Sequence, residues 1–416
     1  MDLNNLAGKC VCGETHEVVT RHIDTAAGSS ERMPQKLREQ GLTRIWMVCD
    51  TNTYAAAGEH IEELLREDGI FTGKTLLTQE HVMADERSVE LTLDSLGECD
   101  AMLAVGSGTI HDITRYVAFQ RKLPFVSFPT AASVDGFVSG VAAMEFGGVK
   151  ATTTAKAPSM LFAEPEILKN APAALTCAGV GDLLGKYTSL ADWHMSALLT
   201  GERYCSRISD MLYEAVDIVR SSIPGIAAGE TDAYRKLLDG LILSGLAMQL
   251  FGNSRPASAS EHHISHFWEM GMVDGVDPNA LHGEKVGMNE LRLLELYRNT
   301  DLDRLLRQPL RFRDIEEDIR FAYKNVAESI IKDNSPDCTR ALKPELIEKN
   351  LDEVKRIYAS LPDSAELREL MAGIGCTVDA ATLGCDEETM AYCIDYACYI
   401  RNRLTLMRMR RVLLAE

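Results

Sequence analysis

The feature that most constrains this chain is a change of hydrophobic rhythm near Pro172. From residue 40 to about 165, short β-rich runs alternate with helical patterns, the mark of a parallel sheet covered by helices. The clearest predicted strands are Ile45 to Cys49, Ala101 to Val105 and Phe125 to Phe128, with amphipathic segments such as His60 to Asp68 and Ser88 to Leu96 between them. From about residue 175 apolar residues recur at helical spacing instead, as at Leu237, Leu238, Leu241, Ile242 and Leu246. The expectation is an N-terminal α/β domain over residues 1–172 and an all-helical C-terminal domain over 173–416. The junction of two such domains commonly forms a ligand cleft. No internal repeat or low-complexity tract interrupts either part, and the charged segment from Asp333 to Leu361 reads as a solvated helical surface.

Composition narrows the function classes. The 416 residues carry a formal charge of −19, so no basic stripe is available for a nucleic-acid backbone, although a few local cations suffice for a small anion. Eleven scattered cysteines, an odd number without a regular framework, read as reduced and cytoplasmic. The N-terminal MDLNNLAGKC lacks the pattern of a signal peptide, and no apolar run is long enough to predict a membrane span. A nucleophile elbow, a Walker loop and an HExxH helix are all missing from the sequence.

Three loops that follow predicted strands have the chemistry of a cofactor crevice. Gly106-Ser107-Gly108-Thr109 precedes a helical stretch, so its backbone amides and the helix N-terminus suit a pyrophosphate. It continues as Ile110-His111-Asp112, without the third glycine of the usual dinucleotide fingerprint, and taken alone such a turn is more often just a tight strand-helix connection. Asp50 ends another strand, where a carboxylate can accept ribose hydroxyls or start a turn; it precedes the glycine loop, the reverse of the usual order. Pro129-Thr130-Ala131-Ala132-Ser133-Val134-Asp135-Gly136 forms a third loop of hydroxyls, free amides and one carboxylate. His111 beside Asp112 reads as a loop-stabilising pair ahead of a catalytic one.

A separate set of residues has metal-binding character: Asp182, the run Glu261-His262-His263-Ile264-Ser265-His266, and His282. Ser258 and Glu261 have capping-box spacing, which predicts a helix starting at Ser258. His262 and His266 then lie one turn apart on one face; His263 with His266, three apart, is also permitted by spacing. One carboxylate with two imidazoles and an open position is a catalytic rather than a structural metal set. The competing role for Asp182 is a helix N-cap after Gly181. Cys10, Cys12 and His16 form a second, terminal cluster of donors.

In chain order, VGSGTIHDITRY, FPTAASVDGF, GVGDLLGKYTSLADWHMS, SRPASASEHHISHFWEM and LHGEKVG make the sequence similar to the sn-glycerol-1-phosphate dehydrogenases, especially the bacterial branch linked to arabinose operons. That group sits with dehydroquinate synthase, glycerol dehydrogenase and the iron-containing alcohol dehydrogenases. The match runs to about residue 290; the last hundred residues match only as generic helices. The resemblance implies a Rossmann-like domain followed by a helical one, in a dehydroquinate synthase-like fold. It implies Asp182, His262 and His282 as ligands of one divalent metal (zinc, nickel or iron), so choosing His262 over His263. Asp135, Asp182 and His266 would touch substrate, with Asp182 and His266 catalytic. Asp50, Gly106, Ser107, Gly108, Thr109, Ile110, His111, Asp112, Thr130, Ala131, Ala132, Ser133 and Ser139 would hold NAD(H), or NADP(H). The implied reaction is reversible reduction of dihydroxyacetone phosphate to sn-glycerol 1-phosphate, a step of phospholipid metabolism, with Arg255, Lys186 and Lys285 as candidate phosphate anchors. A homo-oligomer, dimer or larger, is expected. The alternatives are a glycerol or other polyol dehydrogenase of this fold, and a catalytically silent ligand-binding relative.

Overall fold

The computed structural model describes residue 3 and residues 6–147, 149–277, 279–306 and 309–414. The strands among them are β1 Gly8–Lys9, β2 Thr15–His16, β3 His22–Asp24, β4 Ile45–Asp50, β5 Phe71–Leu77, β6 Ala101–Gly106, β7 Phe125–Pro129, β8 Val141–Phe146, β9 Val149–Thr154 and β10 Met160–Phe162. Six form one sheet in the order β3-β10-β7-β6-β4-β5, and every pairing in it is parallel. β1 pairs with β2, and β8 with β9, as antiparallel hairpins.

The three expected strands are β4, β6 and β7, each one residue longer than read. β6 shows why such strands are legible. Ala101, Leu103 and Val105 pack with Met33, Leu37, Ile61 and Leu65 on one face of the sheet, while Met102 and Ala104 pack with Ile113 and Val117 on the other. A strand covered on both faces must be apolar throughout.

The sheet order also places the cofactor loops. After β4 the chain adds β5 on one side and then crosses to add β6 on the other, so β4 and β6 flank the point where the winding reverses. In open α/β sheets ligands bind outside the carboxyl ends of strands at that point. Asp50 and Gly106 end those two strands.

The chain divides into two compact units, residues 1–180 with 217–252, and residues 181–216 with 253–416. A single division at 172/173 was expected; instead helix Thr231–Phe251 belongs to the unit that contains the sheet. Its side chains explain this. Ser244 Oγ donates to Asp135 Oδ2 at 2.7 Å, Thr25 Oγ1 donates to Asp239 Oδ1 at 2.8 Å, and Gln249 Nε2 donates to Thr20 Oγ1 at 3.0 Å. Helical periodicity reveals a helix but not the body it packs on.

The second unit contains helices Lys186–Thr200, Ser260–Glu269, His282–Arg298 and Pro344–Ala359, among shorter ones. Helix Ala173–Leu184 meets His282–Arg298 in backbone contact: a Cβ on Gly181 would lie 2.2 Å from the Gly283 carbonyl oxygen. Only glycine permits that approach, and it brings Asp182 beside His282. No described helix is long and apolar enough to cross a membrane.

Candidate active site

In the sheet-bearing unit, the three predicted cofactor loops lie at the carboxyl ends of neighbouring strands. The Thr130 amide donates to the Gly106 carbonyl at 3.0 Å, tying the loop after β7 to the loop after β6. Gly106 is required by its packing, since a Cβ there would sit 2.6 Å from Ile110 Cβ. Ser107 precedes helix Gly108–Arg121 without capping it through its side chain, so the first-turn amides, including those of Gly108, Thr109 and Ile110, are not capped by it. His111 is buried under this loop, with Nδ1 2.9 Å from the Ser107 carbonyl and Nε2 2.8 Å from Ser127 Oγ. Burial and the nearby Arg115 push its pKa down to about 3. Its ring is thus a neutral prop of the loop.

Asp112 lies 3.7 Å from Arg115, and burial pushes its carboxyl up to about 6. Thr130, Ala131, Ala132 and Ser133 are all buried. Ser139 accepts the Val141 amide at 3.1 Å on Oγ, and its carbonyl takes an Arg115 N–H at 3.1 Å. Asp50 accepts the Thr53 amide on Oδ1 at 2.8 Å while its own amide donates to Thr53 Oγ1. The turn-starting role is therefore real, and it engages Oδ1. Asp135 is half-buried and held by Ser244.

In the second unit, one donor atom each from Asp182, His262 and His282 lies within 4.8 Å of the other two. His262 Nε2 is 3.4 Å from Asp182 Oδ1, and the rings of His262 and His282 have centroids 5.2 Å apart. Each imidazole is oriented by a carboxylate. His262 Nδ1 donates to Glu261 Oε1 at 2.7 Å and His282 Nδ1 donates to Glu269 Oε1 at 2.9 Å. With the proton held on Nδ1, the lone pair of Nε2 is available to a metal, the arrangement that metal-binding histidines usually show. Burial would raise the Asp182 carboxyl, but the Lys186 ammonium at 2.9 Å and His262 outweigh it and hold it well below the usual range. One carboxylate and two imidazoles, with Asp182 and His262 buried and both rings oriented, fit a divalent cation.

Several sequence readings change here. Asp182 lies in the last turn of helix Ala173–Leu184 and is no N-cap. The histidine helix begins at Ser260, because Ser258 is extended and makes no cap; Glu261 instead reaches back to the Ala259 amide at 2.9 Å. His263 is fully buried with neither ring nitrogen hydrogen-bonded among the described residues, and burial with nearby Arg403 holds its pKa well below normal. His266 stacks on His282 at 5.2 Å and donates from Nδ1 to Glu269 Oε2 at 3.1 Å. Burial pushes it down to about 4. Of the candidate phosphate anchors, Arg255 is engaged by Glu202 at 2.8 Å, Lys285 by Glu269 at 3.0 Å and Lys186 by Asp182. The residue sequence reasoning missed is Glu269, which binds His266, His282 and Lys285 together; its place three residues after His266 was the available signal.

Residues 24–172 match the iron-containing alcohol dehydrogenase family. Over 97% of this chain and 95% of the relative, the sequence is 33% identical to a glycerol-1-phosphate dehydrogenase (NAD(P)+) of Halalkalibacterium halodurans. The chain belongs to the glycerol-1-phosphate dehydrogenases. Its relative of the same name from Bacillus subtilis is 43% identical over 70% of this chain and 75% of that protein. Among solved structures, a probable glycerol dehydrogenase of Sinorhizobium meliloti has a TM-score of 0.62 at 16% identity, over 94% of this chain and 95% of that one. A sulfoacetaldehyde reductase of Bifidobacterium kashiwanohense in complex with NAD+ has a TM-score of 0.63 at 15% identity, over 95% and 96%. These two share the fold, a parallel-sheet domain with a helical one.

Proposed function

We propose that this oxidoreductase interconverts dihydroxyacetone phosphate and sn-glycerol 1-phosphate with NAD(P)(H), using a divalent cation held by Asp182, His262 and His282. The observation that carries the site is the convergence of those three donors, with both imidazoles pinned through Nδ1 by carboxylates. Zinc, nickel and iron all accept this donor set.

A cation bound there would supply Lewis acidity toward the ketone oxygen, and the nicotinamide would supply the hydride. The chain's own groups do the rest. Glu261 and Glu269 keep the Nδ1 protons in place, so Nε2 of each ring is the atom left for the cation. Lys186 offsets part of the carboxylate charge of Asp182, moderating its donation. His266, neutral and with Nδ1 held by Glu269, offers Nε2 as the atom that takes the alcohol proton in the oxidative direction. Asp135, oriented by Ser244, is proposed to meet the substrate as well.

For the cofactor, the amides after Gly106 would take the pyrophosphate and Asp50 the adenosine ribose, where a 2′-phosphate would meet its negative charge. This reading favours NADH over NADPH. The reducing cytoplasm is the proposed compartment, supported by an odd number of scattered cysteines.

The test is an assay of purified protein for NADH oxidation with dihydroxyacetone phosphate, run beside NAD+ reduction with unphosphorylated glycerol. Turnover of the phosphorylated ketone is expected. Turnover of glycerol alone would move the protein to the polyol dehydrogenases.

A further inference from the structure

The N-terminal hairpin has chemistry that the dehydrogenase reaction does not use. β1 and β2 pair over only two residues each, with Gly8 opposite His16 and Lys9 opposite Thr15. The turn between them is closed by Cys10 N–H to the Glu14 carbonyl at 2.9 Å and Gly13 N–H to the Cys10 carbonyl at 3.0 Å. Val11 at its tip is 88% exposed, so apolar burial does little to hold so short a hairpin.

What the turn does is converge donors. One ligand atom each of Cys10, Cys12 and His16 lies within 4.8 Å of the other two. His16 is buried, and its Nδ1 donates to the Leu250 carbonyl at 2.7 Å, at the end of helix Thr231–Phe251. That bond fixes the tautomer and leaves the Nε2 lone pair pointing at Cys12 Sγ, 3.3 Å away. Two ligand atoms on one tetrahedral zinc, a sulfur and an imidazole nitrogen, would be about 3.6 Å apart. The hairpin is thus close to ligand geometry already, and its imidazole is braced as a metal-binding histidine would be.

We propose that Cys10, Cys12 and His16 bind a thiophilic divalent cation, zinc by their donor chemistry, as a structural clip on the N-terminal hairpin. Binding requires loss of the two thiol protons. Through His16 it would fasten the hairpin to the end of helix Thr231–Phe251. Two soft thiolates distinguish this site from the all-oxygen-and-nitrogen set of Asp182, His262 and His282.

Two measurements on the full-length protein test the clip independently of the catalytic site. The first is zinc content after gel filtration, for wild type and for Cys10→Ser/Cys12→Ser. One zinc equivalent per chain is expected to disappear in the variant, while dihydroxyacetone phosphate reduction persists. The second is the near-ultraviolet spectrum of wild type reconstituted with cobalt(II), which needs no variant to fold. A thiolate-to-cobalt charge-transfer band is expected, and the catalytic donors cannot produce one. Equal zinc content in both proteins, absence of the band from wild type, or its persistence in the double variant would each overturn the proposal.

Discussion

His262 and His263 are neighbours with opposite surroundings. The first reaches Asp182 and Glu261; the second is buried with its ring nitrogens unpartnered among the described residues. His262→Ala is therefore expected to abolish stoichiometric metal at the catalytic site and to cut turnover by orders of magnitude. His263→Ala should retain the metal, with a loss of stability on the order of 1–3 kcal/mol from the cavity. Metal analysis of both variants decides it; loss of metal from the second and not the first would reverse the assignment. Glu269 offers a finer test. Glu269→Gln keeps the shape but leaves His282 and His266 without a carboxylate partner, and metal affinity should fall roughly 10–100-fold. An unchanged affinity in a competition titration with a chelator would deny Glu269 its orienting role. Sequence spacing left 262 and 263 unresolved because each lies within one turn of His266 on the same helix, and which of them meets Asp182 is decided by how that helix packs. It starts at Ser260, set by the Glu261 contact to the Ala259 amide, which no local rule anticipates.

At the scale of elements, the parallel strands were legible because double-sided burial makes them continuously apolar, and their loops were legible because glycine and hydroxyl residues gather where they end. The placement of Asp50 ahead of the glycine loop looked anomalous in sequence. The strand order accounts for it: β4 and β6 are adjacent in the sheet although β5 intervenes in the chain. What local pattern could not reveal is the packing of helix Thr231–Phe251 with the sheet unit, since that rests on contacts such as Ser244 with Asp135, 109 residues apart. Asp50→Ser tests the element-level account. NADH binding should weaken by on the order of 1.5–3 kcal/mol at most for each lost charged hydrogen bond. The ratio of kcat/KM for NADH over NADPH should fall as the repulsion is removed. An unchanged ratio would reduce Asp50 to the turn-starting acid that its contact with Thr53 already shows.

On the scale of the molecule, the helical unit is tied together around one buried acid. Asp192 accepts the Leu406 amide and the Tyr358 hydroxyl on Oδ1, each at 2.9 Å, and the hydroxyls of Tyr297 and Ser260 on Oδ2. Burial pushes its carboxyl up to about 6, although the Leu406 amide and Tyr297 pull the other way. A folded pKa above the unfolded value means that its stabilising share is complete below about pH 4 and is lost as pH rises through 6. Asp192→Asn removes that titration. The stability difference, wild type minus variant, should decline between pH 4 and 7 by on the order of 3 kcal/mol in denaturant unfolding; parallel profiles would contradict the shift. The central claim concerns the whole enzyme, a metal-assisted reduction that yields one enantiomer. Its most direct test is to strip the protein of metal, confirm the removal, and assay dihydroxyacetone phosphate with NADH before and after restoring zinc, nickel or iron, identifying the product's configuration. The account predicts negligible turnover without metal, recovery on reconstitution and sn-glycerol 1-phosphate as product, whereas full activity in demonstrably metal-free protein, or an sn-3 product, would contradict it.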